Sequence, residues 1–140
     1  MAKTIFVNLP VADAAKATAF YEAIGFTKNE MFSNEKASAM VWSDTINVML
    51  LEREFYATFT TKPIIDAKTM SGVLLSLNFD SRADVDAITE AALAAGGREL
   101  HEPEDEGFMY SRAFEDLDGH GWGPFTMDMA AAEAQFSGQE

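Results

Sequence analysis

Cysteine is missing from all 140 residues, which excludes disulfide cross-links and thiolate metal sites and leads us to expect a chain suited to the reducing cytoplasm. Histidine is almost as scarce. His101 and His120 are the only two, so a histidine-rich metal site cannot be assembled. Basic residues are few as well, ten against 23 acidic ones, for a formal net charge of −13. That surplus repels phosphate backbones and anionic lipid at long range, so nucleic acid is not an expected partner, and an anionic ligand would need a local cation. Long hydrophobic runs are also absent. The longest uncharged stretch, Thr69 to Phe79, has 11 residues, short of the ~18 that a membrane span requires. The first residues lack a secretory pattern, so no membrane partner is expected. Phosphate-cradling glycine loops, nucleophile elbows and zinc-protease helices do not occur either. What remains is a composition 48% hydrophobic, enough for a packed core rather than disorder.

A duplication organises that composition. Ile5-Phe6-Val7-Asn8-Leu9 leads into a helix near Asp13, and Val73-Leu74-Leu75-Ser76-Leu77 leads into one near Ser81, about 68 positions later. In the first copy Ile5, Val7 and Leu9 alternate with Thr4, Phe6 and Asn8, as a strand requires, and Pro10 ends the run. Asp13 is a good N-cap, Ala17, Phe20, Tyr21 and Ile24 recur at helical spacing, and Gly25 suits the helix end. Strands are expected at Thr27 to Phe32, Ala37 to Trp42 and Ile46 to Leu51. Residues 52–71, broken at Lys62-Pro63, read as a short helix and a linker. In the second copy Ser81 opens a capping box, Val85, Ile88 and Ala92 form the buried stripe, and Gly96-Gly97 stops the helix. Glu99 to Glu102, Phe108 to Glu115 and Trp122 to Met127 complete the strands. The expected fold is therefore α+β, one domain over 1–128 built from βαβββ modules 3–51 and 72–128, with a tail at 129–140 that is helical to Phe136 and frayed beyond. Pro124, with Gly121 and Gly123 shortly before it, is expected to weaken the last strand or place it at an edge. The acidic run Glu102, Glu104, Asp105 and Glu106 is expected in a solvated loop.

With Val11-Ala12-Asp13 opening a helix that carries Phe20-Tyr21 and closes on Ile24-Gly25-Phe26, and with Asp116-Leu117-Asp118-Gly119-His120 later, the chain resembles the vicinal oxygen chelate superfamily of glyoxalases, bleomycin resistance proteins and extradiol dioxygenases. The likeness is greatest to bacterial proteins described as predicted lactoylglutathione lyases, through Phe108-Met109-Tyr110, Arg112 and that aspartate-rich turn, and it runs from Lys3 to Asp128. It implies paired βαβββ modules forming a cupped mixed sheet, a homodimer and, in the enzymes, one divalent metal. The metal-ligand positions that it implies fall on Phe6, Leu74, approximately Met49, and Gly123. None is a donor suited to a hard cation, and a catalytic metal needs about three protein ligands. We therefore expect no metal and no other cofactor. His120 is expected to serve its turn by hydrogen bonding.

A cleft lined by Phe6, Met40, Trp42, Met49, Tyr110 and Trp122, with Leu74 also assigned to it, would be apolar and polarisable, able to hold a flat or greasy molecule. Asn8, Asn47 and Ser76 would add polar contacts, and Arg112 could receive a carboxylate or pair with a surface acid. Catalytic residues are not assigned. The primary expectation is binding of an unidentified small molecule without metal, as in bleomycin resistance proteins. Two readings compete with it: a metal-dependent lyase or dioxygenase resembling glyoxalase I, and a dimeric interaction protein with a filled cleft. Whether the chain is an enzyme stays open at this point.

Overall fold

The computed structural model describes residues 2–137. Gly138, Gln139 and Glu140, part of the end expected to fray, lie outside these. The first module runs β1 (Ile5–Val11), α1 (Ala14–Ala23), β2 (Thr27–Lys28), β3 (Ala37–Val41) and β4 (Ile46–Glu52). A short α2 (Arg53–Tyr56) and a 3-10 turn (Ala57–Phe59) open the connection. The second module is β5 (Leu74–Phe79), α3 (Arg82–Ala94), β6 (Arg98–Asp105), β7 (Met109–Glu115) and β8 (Gly121–Met127), after which α4 covers Met129–Ser137. The strands form two four-stranded sheets ordered β1-β4-β3-β2 and β5-β8-β7-β6, in which only β1/β4 and β5/β8 are parallel. The α+β pair of βαβββ modules expected from the duplication is present.

Local chemistry sets the helix limits. Asp13 accepts the Lys16 amide at 3.1 Å and Ser81 accepts the Asp84 amide at 3.1 Å, satisfying N–H groups that each first turn leaves free. Gly25, at φ 112°, closes α1 in a conformation that a side chain would strain. Ala17, Phe20, Tyr21 and Ile24 lie on the buried face of α1, as Val85, Ile88 and Ala92 do on α3. These stripes meet one continuous core shared by both modules, in which Phe20 and Tyr21 of α1 contact Phe114 and Trp122 of the second sheet.

Three expectations need correction. The run Thr27 to Phe32 is a two-residue strand followed by a 3-10 turn at Glu30–Phe32, because the Asn29 side chain accepts the Met31 amide and Ser33 Oγ donates to the Asn29 carbonyl. The acidic run is no loop, since Glu102, Glu104 and Asp105 belong to the outer strand β6. Of the two outcomes expected for Pro124, the edge placement fails, since the residue sits in an interior strand between β5 and β7, and the weakened pairing holds. The ladder yields where that ring lies: pairing of β7 with β8 passes from Ser111↔Phe125 to Phe114↔Trp122, skipping the positions opposite Pro124 and Gly123.

The Asp116–His120 turn clamps the modules together. Tyr21 Oη donates to Asp116 Oδ2 at 2.6 Å and accepts from Trp122 Nε1 at 3.0 Å. Asp116 Oδ1 takes the amides of Asp118 and His120, each at 2.9 Å, while Asp118 Oδ1 takes the Ala12 amide of the other module at 2.9 Å. His120 Nε2 lies 2.6 Å from the Pro10 carbonyl, so in the Nε2–H tautomer it donates across the junction. Gly119 permits the turn: its φ is 94°, and a Cβ there would lie 2.6 Å from the Ala67 carbonyl.

Candidate ligand-binding site

Strand alternation divides each sheet into a face under the helices and an open face. In the first sheet Leu9, Val48, Leu50, Ser38 and Met40 are buried toward the helical layer. The pairs Phe6↔Asn47 and Asn8↔Met49 therefore occupy the open face. In the second sheet Leu77 and Trp122 belong to the core, which leaves Leu74, Ser76 and Gly123 on the open face with Ser111 and Phe125. Six of the ten predicted residues, Phe6, Asn8, Asn47, Met49, Leu74 and Ser76, thus share the side opposite the helices.

The other four side chains turn the opposite way. Trp42 packs on Phe26 and Phe79, with ring centroids 4.9 and 5.9 Å apart. Trp122 is 3% exposed, with its indole N–H spent on Tyr21. Tyr110 Oη donates to Asp86 of α3 at 2.6 Å, and the guanidinium of Arg82 lies 4.9 Å from the Tyr110 ring centre. Arg112, 8% exposed, meets Asp86 at 3.1 Å, Glu90 at 2.9 Å and Glu99 at 3.0 Å. Burial works against the Arg112 charge, but hydrogen bonds to Glu99, Glu90 and Asp86 more than offset it and hold the pKa above its ordinary value. Of the two roles open to this arginine, the structure shows pairing with acids. The Tyr110 hydrogen bond, ahead of opposing desolvation and the Arg112 contact, lowers the Asp86 carboxyl.

A cavity of about 530 Å³ lies over the open face of the second sheet. Leu74, Leu100, Met109, Phe125 and Met127 supply its apolar wall, with the hydroxyls of Ser76 and Ser111 among them and His101 and Glu104 at one side. Arg112 and Trp122 border it from within the sheet, so four predicted residues line this one space. Asn8 instead lines a cavity of about 340 Å³ with Tyr56, Thr60, Lys62 and His120, between β1 and the connection. Phe6, Trp42, Asn47 and Met49 line neither, and Tyr110 borders a separate hollow beside Arg82. Sequence reasoning missed Leu100, Met109, Ser111, Phe125 and Met127. Alternation from Gly123 gives Phe125 and Met127 directly, and register with Ser76 then selects Ser111 rather than Arg112.

The implied metal positions can be tested against this geometry. Phe6, Met49, Leu74 and Gly123 all occupy the open face, as the resemblance requires, yet together they offer one thioether and no imidazole or carboxylate. Among the described residues no three His, Cys, Asp or Glu side chains gather where they could hold an ion. The residues at these positions do not fit a divalent metal. No helix among the described residues is long and apolar enough to cross a membrane.

Paired βαβββ modules with such a face define a glyoxalase-type fold. Residues 4–123 match the model of the Glyoxalase/Bleomycin resistance protein/Dioxygenase superfamily, and the chain belongs to that family. Its structure is similar to the hypothetical protein SA1046 from S. aureus, at 26% identity and TM-score 0.76, over 90% of this chain and 94% of that one. A glyoxalase/bleomycin resistance protein/dioxygenase family enzyme from Burkholderia phytofirmans PsJN aligns at 20% identity and TM-score 0.74, over 90% and 99%. A glyoxalase-related enzyme from Fulvimarina pelagi aligns at 17% identity and TM-score 0.74, over 90% and 88%. Among curated proteins there is no match.

Proposed function

We propose that this family member binds a small, largely apolar molecule in the cavity on the open face of β5–β8, and does so without a catalytic metal. The observation that carries the reading is the cavity wall, in which Leu74, Met109, Phe125 and Met127 supply adaptable apolar surface while Ser76 and Ser111 supply a few orienting hydroxyls. The volume of about 530 Å³ suits a molecule of drug or metabolite size. Sequestration or sensing needs no reacting group, which agrees with Phe6, Met49, Leu74 and Gly123 standing where the family's enzymes hold their ion. Phe6, 56% exposed on the open face of the first sheet, leaves apolar area that a second copy would cover, and the cysteine-free composition suits a reducing compartment, so we extend the proposal to a cytoplasmic homodimer.

Two measurements test this reading. Thermal melting against a library of neutral and charged aromatic compounds should give saturable rises in Tm with selected members, because a ligand that binds only the native state stabilises it. Those shifts should survive exhaustive dialysis against a chelator. Loss of ligand binding on chelation, restored by zinc, nickel, manganese or iron, would overturn the metal-free reading.

A further inference from the structure

We infer that the β5–β8 cavity selects its ligand by charge, taking apolar organic cations such as aromatic amines and refusing the matching carboxylates. The inference rests on the binding reading above and names the ligand class of the same site.

The arginine bordering the cavity is unavailable to an anion. Arg112 lies on the helical side of β7 and is held there by Asp86, Glu90 and Glu99. The ionisable side chains left on the cavity wall are His101 and Glu104. Three nearby carboxylates are matched, Asp105 with Arg82, Glu115 with Arg98 and Glu99 with Arg112, and of the acids on the β6 run only Glu104 lines the cavity among the described residues. Glu104 has no lysine or arginine partner among the described residues. The nearest cationic candidate is His101, whose Nδ1 is 3.9 Å from Glu104 Oε1 and also 2.8 Å from the Glu102 carbonyl.

The backbone gives this wall its composition. Pairing along β6 runs Glu99↔Phe114, His101↔Ala113 and Glu104↔Ser111, with a register shift on each side of His101. In a regular strand Leu100 and His101 would face opposite ways, but the extra residues let Leu100, His101 and Glu104 all line the cavity. Pro103, within the second shift, has no N–H to lose from the ladder. A carboxylate entering this space would be desolvated beside Glu104 with no lysine or arginine on the wall free to meet it, whereas an ammonium group would find Glu104 as its partner. Because Glu104 is 57% exposed, water screens the pair, and the expected preference is about tenfold rather than the far larger value for a dry site.

The test uses two probes on one skeleton, 1-naphthylmethylamine and 1-naphthylacetate, titrated calorimetrically into the full chain and its Glu104→Gln and Glu104→Lys variants. The wild type should bind the amine about tenfold more tightly than the acid. Glu104→Gln should remove most of that difference, and Glu104→Lys should reverse it. Thermal melts of both variants serve as the folding control, since Glu104 is solvent-facing. If the acid binds as well as the amine, or if Glu104→Gln keeps the preference, charge selection is overturned while apolar binding stands. If neither probe binds the wild type, the underlying cavity reading fails instead.

Discussion

Tyr21→Phe deletes one oxygen atom at the junction of the two modules. In the wild type that oxygen donates to Asp116 at 2.6 Å and accepts from Trp122 at 3.0 Å, and all three side chains are buried. Phenylalanine preserves the edge contacts of the Tyr21 ring with Phe20 and Phe26, so the packing change is small. Two buried polar groups lose a partner, the Trp122 N–H altogether and the Asp116 carboxyl one of three donors. With about 1–3 kcal/mol for the unsatisfied Trp122 N–H and about 1 kcal/mol for the one hydrogen bond that Asp116 loses while keeping two others, the expected destabilisation is about 2–4 kcal/mol. In a domain of this size that lowers Tm by roughly 10 °C and moves the urea midpoint with m unchanged. The loss should also depend on pH. Burial raises the Asp116 carboxyl above its ordinary value, against the Tyr21 and backbone hydrogen bonds that favour the ionised form. Its contribution to stability is therefore fully present below the ordinary carboxylate pKa of about 3.9 and is lost as pH rises through the elevated folded value. Removing the Tyr21 donor raises that value further, so the variant's deficit should be smaller at pH 4 than at pH 7. Urea titrations monitored by circular dichroism at both pH values measure this. A deficit under about 0.5 kcal/mol at both would refute the view that this network clamps the modules.

Arg112→Met should destabilise the fold by about 2 kcal/mol, less than a fully buried pair would give because Asp86 and Glu90 are substantially exposed, and added salt should recover part of the loss in urea titrations. Gly119→Ala and Gly107→Ala both place a side chain at positive φ, but a Cβ at position 119 meets the Ala67 carbonyl whereas one at 107 meets nothing within 4 Å. Thermal melts should show a cost of about 1 kcal/mol at 107 and at least twice that at 119. The Arg82 hydrogen bond, followed by the Gly107 amide, lowers the Asp105 carboxyl to about 2. Its favourable contribution is present above the ordinary carboxylate pKa and is lost as pH falls through the folded value of about 2, and an NMR titration should show Asp105 returning toward about 3.9 in Arg82→Gln.

The repeated pattern from Ile5 and from Val73 already contained the architecture. Caps, glycine stops and period-two or helical spacing act over a few residues, so β1, α1, β5 and α3 could be read from neighbours in the chain. The same locality placed Phe6, Asn8, Leu74 and Ser76 on one side of their strands. Trp42, Tyr110, Arg112 and Trp122 escaped that logic, because aromatic and cationic chemistry suggested a ligand while their parity set them against the helices. Which acids would claim Arg112 depended on α3 crossing β7, a long-range contact that no local signal reports.

Pro124 shows the same division from the backbone side. The sequence fixes its missing N–H, but whether that gap falls at an outer strand or inside a sheet depends on which strands pair across more than forty positions, here β5 and β8. The sequence alone determined two βαβββ modules, an acidic surface, and the absence of hard donors at Phe6, Met49, Leu74 and Gly123. Only the tertiary structure decided that Asp116 and His120 hold the modules together and that Glu104 faces a cavity with no lysine or arginine partner among the described residues. Propensity and alternation act between residues adjacent in the chain, whereas burial and ion pairing depend on residues that folding alone makes neighbours.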